Sequence, residues 1–367
     1  MQQKGRVVDV LVTTPLGGTG QGGIDRIMAS LKHELDRHTQ DDVRARFLPT
    51  RGEGHVSVSA LYLAAFCAKM LSARLRGKID VVHINLASHG STYRKLIIAA
   101  CATMLAVPYI LHLHGAEYMT FWSKDDTFLN RRIRAMFQKA ARVVVLGTVW
   151  RDFIISKSPE TKRQVVIVPN ATSAPALPWK GGGDQVHILF LGRIGKRKGV
   201  PELCEALASM KDLPGWRATI AGDGEAEQLR FRLNELGLSD KATVLGWQGP
   251  DEVANLLSRA DILTLPSHAE NLPMSIVEGM AAGLAVVATP VGAVEDIVSD
   301  GETGILVSPG DVAALKNALA RLVADPDLRR RMGDAGRSRH REYLDVETFT
   351  ASLCEIWRTV ARDRMEK

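Results

Sequence analysis

The chain has 367 residues, 46% hydrophobic and 24% charged, the balance of a soluble globular protein with room for two domains. A net charge of +6 and a pI near 9.2 favour anionic partners: a nucleotide, a polyanion or an anionic membrane surface. Aromatic residues make up only 5%, which argues against extensive base stacking, so no nucleic acid is expected as a partner. Cys67, Cys101, Cys204 and Cys354 are widely separated and show no metal-ligand spacing; they read as buried thiols in a reducing compartment.

Residues 7–12 read as a first strand that runs into a Gly-rich loop, not as a leader. Residues 24–35 place Ile24, Ile27, Met28, Leu31 and Leu35 at helical spacing. The alternation continues with a helix at 61–75, a strand at 81–84, a helix at 95–105 and a strand at 109–113. The apolar run 96–111 is too short for a membrane span and is broken by Pro108. A helix at 131–140 and strands at 143–146 and 165–168 complete the first half. Residues 175–184 hold two prolines and three glycines, the composition of a linker. The pattern then restarts with a strand at 186–191 and a helix at 201–210. Strands follow at 216–220, 242–245, 262–265 and 285–289. Helices at 312–323, 326–342 and 347–362 close the chain. The last carries Phe349, Leu353, Ile356 and Val360 on one face and can pack on either domain. The fold class is α/β: two halves of β/α alternation, with mostly parallel sheets covered by helices on both faces.

Four segments could carry chemistry. Residues 17–23, Gly-Gly-Thr-Gly-Gln-Gly-Gly, join the first strand to a helix. Glycines there allow close backbone approach to a ligand, although the run is neither a Walker loop nor a clean Gly-x-Gly-x-x-Gly. Residues 192–199 place Arg193, Lys196, Arg197 and Lys198 after a buried strand. A charge run is usually a solvated turn, but strand C-termini are where such sheets bind ligands, and Arg193 and Lys198 are candidates for a diphosphate clamp. His112 and His114 bracket Leu113 at a strand end and are expected on opposite faces, His114 beside Gly115 being the one in a cleft.

The most informative segment is 266–283. It puts Glu270 before, and Glu278 inside, a short helix that starts near Pro273 and stops at Gly283. The two carboxylates sit on different faces and can accept hydrogen bonds from hydroxyls of one ligand lying across the helix N-terminus, which itself favours phosphate. Asp325-Pro326-Asp327 has the Asp-x-Asp spelling of metal-dependent sugar transferases but sits where a helix cap belongs, so no metal is expected.

Taken together, Gly192-Arg193 with Lys198-Gly199, residues 221–225, Leu245-Gly246-Trp247, and Glu270 with Glu278 resemble the retaining glycosyltransferases of family four. The match is tightest over 186–310, and the N-terminal glycine loop and His114-Gly115 extend it. Gly279 and Asn271-Leu272 depart from the family's usual residues. The resemblance implies the GT-B architecture of two Rossmann-like domains facing a central cleft. An acceptor domain would span 1–176 and a nucleotide-sugar domain 177–344, with 345–367 crossing back to the first.

The resemblance also implies roles. Glu270 would bind the transferred sugar and His114 would lie near the reacting carbon. Arg193 and Lys198 would hold the diphosphate, with Gly17 and Gly18 over the phosphates. Gly246 and Trp247 would border the base, with Asn271 and Leu272 also lining the donor, and Glu278 would bind the ribose. The implied enzyme is a retaining, metal-independent hexosyltransferase without a cofactor, its donor GDP-mannose or a UDP-sugar. Basic residues Arg131, Arg132, Arg134 and Lys139, and Arg74, Arg76 and Lys78, lie beside apolar segments. They point to a lipid-linked glycan acceptor in bacterial surface polysaccharide synthesis, on the inner face of the cytoplasmic membrane. A soluble acceptor, another GT-B enzyme such as an epimerase or phosphorylase, or a non-catalytic nucleotide or polyanion binder on the same fold are the alternatives.

Overall fold

The computed structural model describes residues 6–17, 20, 22–37, 42–123, 126–181 and 183–366. The chain forms two compact units. One holds Met1–Asn170 with Val346–Lys367, the other Ala171–Asp345.

The first unit is a six-stranded parallel sheet in the order β2-β1-β3-β4-β5-β6. Its strands are β1 (Val8–Thr14), β2 (Val43–Pro49), β3 (Val81–Leu86), β4 (Tyr109–Leu113), β5 (Arg142–Val145) and β6 (Val165–Ile167). The connecting helices are α1 (Gly23–Arg37), α2 (Ser59–Leu75), α3 (Gly90–Met104), α4 (Tyr118–Phe121), α5 (Phe128–Lys139) and α6 (Thr148–Lys157). Central strands β3 and β4 are buried along their whole length and are mostly apolar, with His83, Asn85 and His112 as buried polar exceptions. The edge strand β2 is only half-buried and has arginines at Arg44 and Arg46, so period alone does not reveal it.

The last helix, α14 (Val346–Met365), completes this unit. Its buried seam is Phe349, Leu353, Trp357 and Val360, with Ile356 only half-buried. Trp357 donates its indole N–H to Nδ1 of His83 on β3 at 3.1 Å, and Arg358 grips Asp42 through two hydrogen bonds of 2.7 and 3.0 Å.

The second unit is a six-stranded parallel sheet in the order β12-β11-β10-β7-β8-β9. Its strands are β7 (Val186–Leu191), β8 (Trp216–Ala221), β9 (Ala242–Leu245), β10 (Ile262–Leu265), β11 (Ala285–Ala288) and β12 (Gly304–Leu306). Helices α7 (Val200–Ala208), α8 (Ala226–Glu235), α9 (Pro250–Arg259), α10 (Met274–Ala282), α11 (Val294–Ile297), α12 (Val312–Ala324) and α13 (Pro326–Arg339) link them. The helix expected over 326–342 ends at Arg339 and widens into a π-turn over His340–Leu344. Asp325 caps α13 by accepting the Leu328 N–H at 2.8 Å, and Asp327 pairs with Arg330 at 2.6 Å.

In each unit the strand order reverses once, between β1 and β3 in the first and between β7 and β10 in the second. Loops leaving neighbouring strands at such a point diverge to opposite faces of the sheet and leave a crevice, the usual ligand site of open α/β sheets.

Candidate active site

In the second unit the loops after β7 and β10 meet at that reversal. Lys198 lies in the first and Glu270 in the second, 72 residues apart in sequence. Their side chains form an ion pair of 2.5 Å with only 13% and 8% of their surfaces exposed. The loops are stitched together by backbone bonds. The His268 N–H donates to the Arg197 carbonyl at 2.9 Å, and the Arg197 guanidinium donates to the Ala269 carbonyl at 2.8 Å. Gly199 holds a left-handed φ of 70°, and a Cβ there would stand 1.9 Å from the Pro266 carbonyl oxygen. Only glycine lets the two loops close to this distance.

The other candidate positions are tied to the same edge. Arg193 is exposed, and its neighbour Ile194 donates its N–H to the Asp223 carbonyl at 2.6 Å. The Gly222 N–H donates to the Gly246 carbonyl at 3.1 Å, which joins the loop after β8 to the loop after β9. Trp247 on that loop leaves 52% of its surface exposed, an unusual position for a tryptophan in a folded unit. Asn271 and Leu272 are buried at the start of α10. The Asn271 carbonyl accepts the Ala293 N–H at 2.7 Å.

Pro273 is the N-cap of α10, and Gly283 ends it in the left-handed conformation. Glu278 is half-buried inside the helix. Arg193, Lys198, Gly246, Trp247, Glu270, Asn271 and Leu272 therefore share the C-terminal edge of one sheet, and Glu278 lies on the helix that opens there.

In the first unit, Gly17 follows β1 with φ of 84° and gives its N–H to the Asp25 carboxylate at 3.2 Å. The Leu16 N–H donates to the same oxygen at 3.1 Å. Burial raises the Asp25 pKa, against the pull of these two N–H groups. Gly18 lies outside the described residues.

His114 follows β4, half-buried, and its N–H donates to the Leu86 carbonyl at 2.8 Å. His112 and His114 do not point to opposite faces. Their ring centroids lie 4.0 Å apart, because alternate residues of a strand share a face. A row of hydrogen bonds fixes the protons here. Trp357 donates to His83 Nδ1, so His83 carries its proton on Nε2 and donates it to His112 Nδ1 at 3.2 Å. Asn85 donates through its amide nitrogen to the Thr13 carbonyl at 2.7 Å, so its oxygen faces His114 Nε2 at 2.9 Å as an acceptor. His114 is thereby left with Nδ1 as an acceptor.

Burial holds all three rings neutral. It lowers His114 to about 3 and His83 to about 4, and lowers His112 well below its ordinary value. Sequence reasoning missed this row, since Trp357 and His83 stand far apart in the chain. The pairing of Lys198 with Glu270 escaped it for the same reason.

Two parallel six-stranded units, each with one strand-order reversal, are the architecture of a GT-B-type α/β protein. A model of the group 1 glycosyl transferases matches residues 179–339, and a glycosyl transferase 4-like domain model matches residues 1–171. The chain belongs to the glycosyltransferases of this group, which transfer sugars.

It is 27% identical over 303 residues to a 2-deoxystreptamine glucosyltransferase of Streptomyces kanamyceticus, covering 76% of this chain and 77% of that one. It is 32% identical over 218 residues to the lipopolysaccharide core biosynthesis glycosyltransferase LpsE of Rhizobium meliloti, covering 59% and 61%. Its fold is shared with a sucrose-phosphate synthase from Thermosynechococcus elongatus at a TM-score of 0.76 and 18% identity, over 96% of this chain and 99% of that one. It is shared also with Anabaena HepE in complex with UDP, at 0.73 and 18% identity, over 96% and 100%.

Proposed function

We propose that this glycosyltransferase moves a hexose, with retention and without a metal, from a nucleotide-diphosphate sugar to a lipid-linked glycan acceptor at an anionic membrane face. The Lys198–Glu270 pair beside the exposed Arg193 carries the donor half of this reading. Breaking the bond between the anomeric carbon and phosphate leaves negative charge on the departing diphosphate. Two protein cations at that position, Lys198 held by Glu270 and the exposed Arg193, would stabilise it. Lys198 is presented on a rigid loop and held by the same carboxylate that is to accept a sugar hydroxyl. The Glu278 carboxylate is assigned to the ribose, and Trp247 to the base. HepE was solved with UDP and with UDP-glucose, which supports a UDP-sugar here. His114 Nδ1 is an acceptor suited to a sugar hydroxyl near the reacting carbon.

The acceptor half rests on the faces of α2 and α3. Leu61, Leu71 and Leu75 on α2 are 71%, 45% and 79% exposed, and Ile97 and Met104 on α3 are 48% and 81% exposed. Neither helix contains an acidic residue, and Arg76 and Lys78 follow the end of α2. An apolar face with a basic border matches an anionic bilayer. The cations of α5 fit that role less well. Arg131 pairs with Asp126 at 3.2 Å, Arg134 donates to the Lys157 carbonyl at 3.1 Å, and Arg132 stacks on the Phe128 ring at 5.0 Å. No helix among the described residues is long and apolar enough to cross a membrane. The relative that acts on 2-deoxystreptamine favours a soluble acceptor as the second reading.

The deciding experiment offers a panel of UDP- and GDP-sugars with and without membrane extract and follows nucleotide release. Release from one sugar donor, stimulated by an acceptor in the lipid fraction, is expected. Stimulation only by the aqueous fraction would replace the lipid acceptor with a soluble one.

A further inference from the structure

The first unit collects a second group of cations that the donor chemistry does not use. Lys95 lies in the first turns of α3 and is 2% exposed. Its ammonium donates to the hydroxyl of Thr50, which follows β2. Arg94 precedes it and folds its guanidinium back over the start of α3. A Cβ on Gly90 would stand 3.5 Å from Arg94 Nη1. Arg94 Nε is shielded from solvent and has no hydrogen-bond acceptor. Arg51, one residue beyond Thr50, is exposed and close enough to lower the Arg94 pKa by like-charge repulsion, added to the larger effect of burial.

Among the described residues, the carboxylate acting on Lys95 is Asp25, whose oxygen is already engaged by the Leu16 and Gly17 N–H groups. Among the described residues, neither Arg51 nor Arg94 has an acidic partner. Among the described residues, these basic side chains thus outnumber the one carboxylate near them, and the shielded Arg94 Nε–H has no acceptor.

The position is as informative as the charge. Arg94 and Lys95 follow β3, Gly17 follows β1, and the sheet reverses its strand order between those two strands. The backbone of Arg51 is anchored there too, since its N–H donates to the Pro15 carbonyl at 3.0 Å. A cluster of unpaired like charges, partly withdrawn from water, is unfavourable in an empty protein. It becomes favourable once a polyvalent anion enters. Two guanidiniums suit the spread oxygens of a phosphate, and Lys95, whose pKa burial pushes down to about 7, gains its full charge when an anion binds beside it.

We infer that Arg51 and Arg94, backed by the buried Lys95, form a phosphate or diphosphate site in the N-terminal unit that holds the anionic group of the acceptor. Assignment to the acceptor rests on the transferase reading above; the anion site itself does not. The site is separate in sequence and in unit from the Arg193–Lys198 clamp.

The test titrates inorganic pyrophosphate into the full-length protein by calorimetry. Two classes of site are expected. Arg51→Gln and Arg94→Gln should each weaken one class roughly tenfold, the loss of a charge-assisted contact, and spare the other. Arg193→Ala should do the reverse. Arg51 is exposed, so its variant keeps the test open if Arg94→Gln misfolds, which circular dichroism would reveal. Pyrophosphate binding that Arg51→Gln leaves unchanged, while Arg193→Ala lowers it, overturns the site.

Phosphatidylcholine vesicles with and without polyprenyl phosphate separate the sources of the anion. Capture only by the doped vesicles, lost in Arg51→Gln, identifies a lipid headgroup. Equal capture by both, with the pyrophosphate result intact, identifies a soluble phosphorylated acceptor and upholds the site. A defect in donor hydrolysis with normal pyrophosphate binding in Arg51→Gln would refute this inference and leave the transferase reading standing.

Discussion

Removing Lys198 and Glu270 singly and together separates what the pair does for the fold from what it does for transfer. Both side chains are about nine-tenths buried and 2.5 Å apart. Deleting one member of a fully buried pair costs about 3–5 kcal/mol, mostly from the charge left behind. Lys198→Met leaves the Glu270 carboxylate with the Arg197 guanidinium at 3.9 Å, and Arg197 is 44% exposed. That weaker neighbour offsets part of the loss, so about 2–3 kcal/mol is the expected cost. For a unit of this size the melting temperature should fall by about 5–10 °C. Glu270→Gln keeps an acceptor for the ammonium but leaves its charge uncompensated, and should cost about 1.5–3 kcal/mol.

The double variant Lys198→Met/Glu270→Gln leaves no stranded carboxylate. It should be more stable than Lys198→Met by at least about 1 kcal/mol, a coupling typical of residues in contact. Transfer should not follow stability. All three variants should lose activity, Glu270→Gln by about 2–4 kcal/mol of transition-state stabilisation. Thermal unfolding and initial rates on the same four proteins give the cycle. Additive stability losses would mean that the ion pair is not formed in solution. Recovery of transfer in the double variant would remove both residues from the chemistry.

Arg193→Ala should lose far more activity than Lys196→Ala, and initial rates that fall equally would reduce the clamp to a diffuse basic patch. On the proposed mechanism, in which Arg193 and Lys198 serve in place of a metal cation, saturating chelator should leave turnover unchanged; inhibition reversed by magnesium or manganese would contradict this.

Acid should destabilise the first unit through His83. Unfolded, it takes up a proton near pH 6.5; folded, it resists down to about 4. Its stabilising contribution is therefore complete above pH 6.5 and lost as pH falls through 4. That interval is worth roughly 3 kcal/mol for His83, and His83→Gln should make the urea-midpoint profile less steep there, with the depressed His112 and His114 accounting for the slope that remains. Leu61→Ser, Leu71→Ser and Leu75→Ser combined should release the protein from anionic vesicles in flotation assays, whereas Arg131→Gln with Arg132→Gln should not. The reverse result would move the docking face to α5.

The alternation of elements is plain in the sequence because buried parallel strands are dominated by apolar residues, as β3, β4 and β7 are apart from His83, Asn85, His112 and His187. Strand β2 escapes because an edge strand carries arginines on its open side, and α6 because Thr148–Lys157 follows β5 with little amphipathic signal. The candidate site residues can be picked out one by one, since glycine loops and charge runs after strands are local features. Their partnerships cannot. Whether Lys198 meets Glu270, or Trp357 meets His83, is decided by which strands become neighbours, and strand order is a property of the whole sheet. The expectation about His112 and His114 failed on geometry that period two already contains.

The return of α14 to the first unit has a consequence for how the protein is made. Trp357 is fully buried against His83, and Arg358 clasps Asp42, so the seat for this helix is part of the N-terminal core. A ribosome finishes β1 to β6 first and must then synthesise all of Ala171–Asp345 before α14 emerges. At about 5–20 residues per second, the nascent first unit waits on the order of ten to thirty seconds with that seat uncovered. The contiguous second unit can close during the delay. Chaperone dependence should therefore concentrate on the N-terminal half, although it is the half translated first.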